Sequence, residues 1–115
     1  MSASATTAYE ARRKAVPREA IRALSVIPGI GPSLAADLYL LGIRDVASLQ
    51  GRDPEQLYRK LERIVGSHVD RCVLYTFRCA VYFASDPKPA PANLKWWLWM
   101  DDSPLVSRQS KARPH

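Results

Sequence analysis

The stretch VIPGIGPSLAADL, Val26 to Leu38, sets two glycines two residues apart, brackets them with Pro28 and Pro32, and lies between apolar runs of helical spacing. No single regular element can run through it. Pro28 lacks an N–H and clashes with the preceding turn, so it stops a helix, whereas Pro32 has the fixed φ that suits a first helical residue. Glycine tolerates positive φ without steric cost. The chain must turn sharply here between two helices.

The same punctuation divides the rest of the chain. In PREAIRALSVI, Pro17 opens a helix with Ile21, Leu24 and Val26 or Ile27 on its apolar side. After the corner, Leu34, Ala35, Leu38 and Leu41 recur at helical spacing until Gly42. Asp45 then caps one or two turns carrying Val46 and Leu49, ended by Gly51. In DPEQLYRKLERIVG, Asp53 caps, Pro54 begins, Gln56 completes a capping box and Gly66 terminates, with Leu57, Leu61, Ile64 and Val65 as the buried edge. The longest apolar helix runs from about Val69 to Ala84 and is expected at the centre of an all-α fold.

The ends read differently. Residues 1–8 have no apolar period, order is expected from near Pro17, and residues 1–16 are expected as a flexible basic arm carrying Arg12, Arg13 and Lys14. A folded domain spans 17–102, and 103–115 is a second flexible basic tail. SDPKPAPANL, with three prolines in five residues, should travel extended and deliver LKWWLWM to the helical body as a closing element. The competing role for its tryptophans is base stacking.

A length of 115 residues fits one domain. No run of about 18 apolar residues is present, which excludes a membrane span, and the polar start lacks the apolar core of a secretory signal, so a soluble cytoplasmic protein is expected. The net charge of +6 is uneven: residues 1–25 hold five Lys/Arg against two Glu, residues 103–115 hold three unopposed cations, and residues 26–102 hold nine charges of each sign. Attraction for a polyanion is therefore expected mainly from the two ends.

Within the long helix, Arg71, Tyr75, Arg78 and Tyr82 fall in one row at i, i+4, i+7 and i+11. They read either as side chains that snorkel to the surface and stack on one another, or as a strip offering charge and stacking area to nucleic acid. Cys72 and Cys79 share a side of the helix and read as packed, reduced thiols; with His68 they lack the close pairing of a zinc site. The sequence holds no nucleophile–base spacing, Walker loop or dinucleotide fingerprint, so no enzyme is expected, and no cofactor.

VIPGIGPSLAADLYLLGIRDV closely resembles a helix-hairpin-helix element, with Gly29, Ile30 and Gly31 as the hairpin and Ala35 as the small residue of the second helix. SLQGRDPEQLYRKL resembles a degenerate second copy, as in tandem, SAM-like arrangements. From about Ile21 to Trp99, including VDRCVLYTFRCAVYFA and LKWWLWM, the chain is similar to a small bacterial pathogenicity-locus family, some members of which carry mitomycin-resistance labels. The resemblance implies a bundle of about five helices that binds DNA, duplex or branched, through amides of the hairpin. Those candidates are Gly29, Ile30, Gly31, Ser33 and Leu34, joined by Arg12, Arg13, Lys14, Arg71 and Arg78; some relatives of the hairpin class also hold a monovalent cation with its carbonyls. The missing N–H of Pro32 and the absence of Lys or Arg at 32–36 keep a second role open, a protein-interaction module whose hairpin is only structural.

Overall fold

Prolines and glycines set the element boundaries. A computed structural model describes residues 2–106 as α1 (Ser2–Lys14), α2 (Arg18–Ser25), α3 (Pro32–Leu40), α4 (Pro54–Val65) and α5 (Arg71–Ser85), with 3-10 turns at Ala47–Leu49, Pro91–Asn93 and Trp96–Trp99. The fold is all-helical, with no strand among the described residues. Pro32 and Pro54 are the first residues of α3 and α4, and Pro17 immediately precedes α2. Asp53 accepts from the Glu55 N–H at 3.0 Å, and Gly66 ends α4 in the left-handed region at φ 83°.

Leu24, Ile27, Leu38, Leu41, Leu49, Leu57 and Leu61 are buried together, and α5 contributes Leu74, Phe77, Ala80 and Val81 to the same core. α5 packs against α4 on one side and against Trp96–Trp99 on the other, which makes it central, as its apolar circumference predicts. Asp70 caps it by accepting from the Cys72 N–H at 2.9 Å.

Two features differ from the sequence expectation. Order was expected from near Pro17, yet α1 is a helix and packs against both α3 and α4. Its anchor is polar: the Tyr9 hydroxyl donates to Asp37 Oδ1 at 2.5 Å, and Arg13 Nε lies 3.4 Å from the same oxygen. At the other end, the chain continues past Met100 in a turn to Val106, with the Val106 N–H donating to Ser103 O at 3.1 Å. Arg108, Lys111 and Arg113, the cations of the expected basic tail, lie outside the described residues. Among the described residues no helix is long and apolar enough to cross a membrane.

Candidate nucleic-acid interface

The corner between α2 and α3 is built by short backbone bonds. The Ile27 N–H donates to Leu24 O at 3.1 Å and the Ile30 N–H to Ile27 O at 3.0 Å, which buries both isoleucine side chains. Gly29 sits at φ 83°, where the backbone favours glycine, and a Cβ there would press on the Thr76 methyl of α5 at 3.3 Å. Gly31 is different. It is the N-cap of α3 at φ −90° and ψ −175°, ordinary extended backbone, and a Cβ there meets nothing within 4 Å.

Gly29, Gly31, Pro32 and Ser33 are exposed. No side chain caps α3, and the amides of Gly31, Ser33 and Leu34 take no acceptor among the described residues. These are the orphan donors that every helix start presents, with the positive end of the helix dipole behind them. The Ile30 amide departs from the expectation: it already donates to Ile27 O, because the bond that makes the turn consumes it. Of the carbonyls offered to a cation, Ile27 O accepts from Ile30 and Gly31 O from Ala35.

α1 brings Arg13 and Lys14 to this corner, where with Glu10, Ile21, Pro32, Ser33 and Ala36 they line a shallow groove of about 440 Å³. The Arg13 guanidinium donates to the Ser33 hydroxyl and, at 3.4 Å, to the Ser33 carbonyl. It also lies 5.4 Å from the Tyr9 ring centroid. Asp37, an acid in the middle of α3, is buried and faces Tyr9 and Arg13. Burial pushes its carboxyl above the usual range, opposed by the Tyr9 hydrogen bond and by Arg13. Arg12 and Lys14 are exposed and make no ion pair among the described residues.

Arg71 and Arg78 are not brought to the corner. Arg71 forms a fork on Asp101, with Nε and Nη2 each 2.8 Å from a carboxylate oxygen. Arg78 is buried, 4% exposed, with Nη1 donating to Trp99 O at 2.9 Å and Nη2 lying 3.0 Å from Asp101 and 3.4 Å from Glu55. Tyr75 donates to Asp101 at 3.1 Å, and the Tyr82 hydroxyl accepts from the Ala90 N–H at 2.8 Å. The row on α5 therefore forms the seam that holds the closing segment, with the Arg78 guanidinium 5.7 Å from the Tyr75 ring centroid and Arg71 still half exposed. The Arg71 hydrogen bond, opposed by burial and joined by the hydrogen bonds from Arg78 and Tyr75, holds the Asp101 carboxyl well below the usual carboxylate range. The sequence showed only that Asp101 adjoins a polar tail; nothing at helical spacing linked it to arginines 30 and 23 residues away.

Trp99 is buried, donates Nε1–H to Asn93 O at 2.9 Å and packs 5.1 Å from the Tyr82 ring. The expected closing element is present, although Trp96 and Trp97 remain 38% and 51% exposed at its edge. Cys79 lies beneath the same segment, 3.8 Å from Asn93 O, and burial pushes its thiol up to about 11. His68 pairs instead with Glu62 at 3.0 Å.

Residues 17–103 match the model of the pathogenicity locus family. The chain is also similar to a protein from Streptomyces lavendulae named mitomycin resistance protein McrB, at 32% identity over 74 residues, covering 64% of this chain and 67% of that one. No solved structure matches the chain significantly. A family match across most of the chain, and a relative of this identity and coverage, establish that the protein belongs to the pathogenicity locus family.

Proposed function

We propose that the protein binds the sugar–phosphate backbone of duplex or branched DNA through a helix-hairpin-helix corner, with the Gly31, Ser33 and Leu34 amides holding a phosphate and the cations of α1 adding attraction. It acts as a binding protein, not a catalyst. The observation that carries this reading is Gly31: its conformation and surroundings leave room for a side chain, and the space beside three unpartnered amides is open. A phosphate fits there because its charge meets the helix dipole and its oxygens accept from N–H groups that no protein atom uses. Such contacts position a duplex without reading its sequence.

Fluorescence anisotropy against duplex and branched DNA across a salt series tests this. About three to five neutralised phosphates give a log–log slope near −3 to −4.5. Gly31→Asp is the informative variant, since aspartate is a favoured N-cap whose carboxylate would occupy the same amides. Affinity should fall about tenfold with no loss of thermal stability, and the slope should become shallower by about 1. Absence of binding at low salt would end the proposal.

The exposed edge of Trp96, Trp97 and Met100 favours a second reading, a protein adaptor. Its mark is a partner retained from nuclease-treated lysate at high salt and lost in Trp97→Ala. Mitomycin resistance, carried in the name of the Streptomyces lavendulae relative, is the phenotype to examine under either reading.

A further inference from the structure

The formally neutral middle of the chain conceals a local charge excess on α4. Arg52, Gln56, Leu57, Arg59, Lys60 and Arg63 line an open cleft of about 640 Å³, with four cations and no acid among the lining residues. The geometry follows from helical spacing. Leu57 and Leu61 turn inward, so Gln56, Arg59, Lys60 and Arg63 share the outward face, and Arg52 extends the row from the preceding loop. Of these four cations, Arg59 has an exposed ion pair with Glu55 at 3.4 Å, and Arg52, Lys60 and Arg63 have none among the described residues. Arg59 and Arg63 are four apart and Lys60 and Arg63 three apart, spacings at which like charges repel on a helix.

We infer that this cleft is a second phosphate-binding surface for nucleic acid, separate from the α2–α3 corner. Its size suits a ligand, but its lining does not suit an apolar one: ligand pockets are mostly apolar, and the cleft's one apolar residue, Leu57, is itself 1% exposed. A peptide partner would need an anchor in a desolvated pocket, and a membrane would need exposed apolar side chains; this face has neither. A polyanionic backbone needs only cations at regular intervals. One helical turn advances about 5.4 Å, so the row from Arg52 to Arg63 spans several phosphates at about 3.4 Å of axial rise per nucleotide. The cleft and the groove at the corner share no lining residue, and α1 packs against both α3 and α4.

This inference rests on the proposed DNA binding, and its test separates the two. Full-length wild type, Arg59→Gln/Arg63→Gln, Arg52→Gln/Lys60→Gln and Gly31→Asp are titrated into a fluorescein-labelled duplex across a salt series, with circular dichroism confirming the fold. Glutamine preserves helix propensity on an exposed face, so both double variants should remain folded. Each should lose about two phosphate contacts, which makes the log–log slope shallower by about 1.8. Double variants that keep the wild-type slope overturn the cleft, whatever Gly31→Asp does. If the double variants shift and Gly31→Asp is silent, the cleft stands and the corner falls; if wild type does not bind, both fall. Polyglutamate binding more tightly than duplex, and losing affinity in the same variants, would overturn the assignment to nucleic acid.

Discussion

Gly29 and Gly31 stand two residues apart and do opposite things. Gly29 is favoured by the fold, since its positive φ and the nearby Thr76 methyl both oppose a side chain. Gly29→Ala should destabilise by about 1–2 kcal/mol, the cost of placing an L-residue in the left-handed region, read from denaturant midpoints. Gly31→Asp, by contrast, should match or exceed wild-type stability, because it adds a cap to α3 where none exists. Equal destabilisation by the two would show that Gly31 is also a structural glycine. Cys79 is a second residue whose role is packing. Its thiol, raised to about 11 by burial, is almost wholly protonated at pH 8. Iodoacetamide at that pH should leave Cys79 unmodified in the native protein and label it after denaturation, as mass spectrometry would read.

At the scale of elements, the boundaries were legible because they are local. Pro32, Pro54, Asp53 and Gly66 each act on their own turn, and the expected helices at 32–41 and 54–65 agree with α3 and α4. The docking of α1 and the seam on α5 were not legible. Tyr9 meets Asp37 across 28 residues and Arg78 meets Asp101 across 23, and no period in a window reports such a pair. The candidate corner was legible in its glycines, whereas the consumption of the Ile30 amide depends on the turn geometry itself. The seam makes a definite prediction. Asp101→Asn removes the closest carboxylate charge facing the buried Arg78 guanidinium, which keeps Trp99 O, the more distant Glu55 and the Tyr75 ring among its neighbours. Breaking a buried pair costs about 3–5 kcal/mol; the half-exposed position of Asp101 and the remaining partners reduce this to roughly 2 kcal/mol. The pH dependence has a fixed sign. Because the folded carboxyl titrates below its unfolded range, its stabilisation is complete above that range and is lost as pH falls through it toward the folded value. Between roughly pH 4 and 2 the wild type should therefore lose stability more steeply than Asp101→Asn, with tryptophan fluorescence as the probe.

For the whole molecule, equal numbers of charges do not give a neutral surface. Asp45, Asp53, Asp70 and Asp86 accept from backbone N–H groups, Asp37 is buried against Tyr9, and Asp101 is enclosed by two arginines. Apart from the exposed Arg59–Glu55 pair, the cations of the α4 cleft and Arg12 and Lys14 of α1 have no ion pair among the described residues. Counting charges along the sequence averaged over this division, which is why the middle of the chain looked inert. The division also separates two responses to salt. Pairs that close the fold are partly buried and screened little, whereas exposed cations act over a Debye length of about 10 Å at 0.1 M and weaken as salt rises. If the exposed cations serve a nucleic-acid backbone, duplex DNA at about 100 times its Kd should stabilise the fold by about 2.7 kcal/mol. For a chain of this size that raises Tm by roughly 10 °C at low salt. The rise should vanish at 0.5 M salt, an ionic strength that leaves the destabilisation by Asp101→Asn nearly unchanged. A thermal shift that survives high salt would instead mean that the contact is apolar, and would direct attention to Trp97 and Met100 rather than to the corner and the cleft.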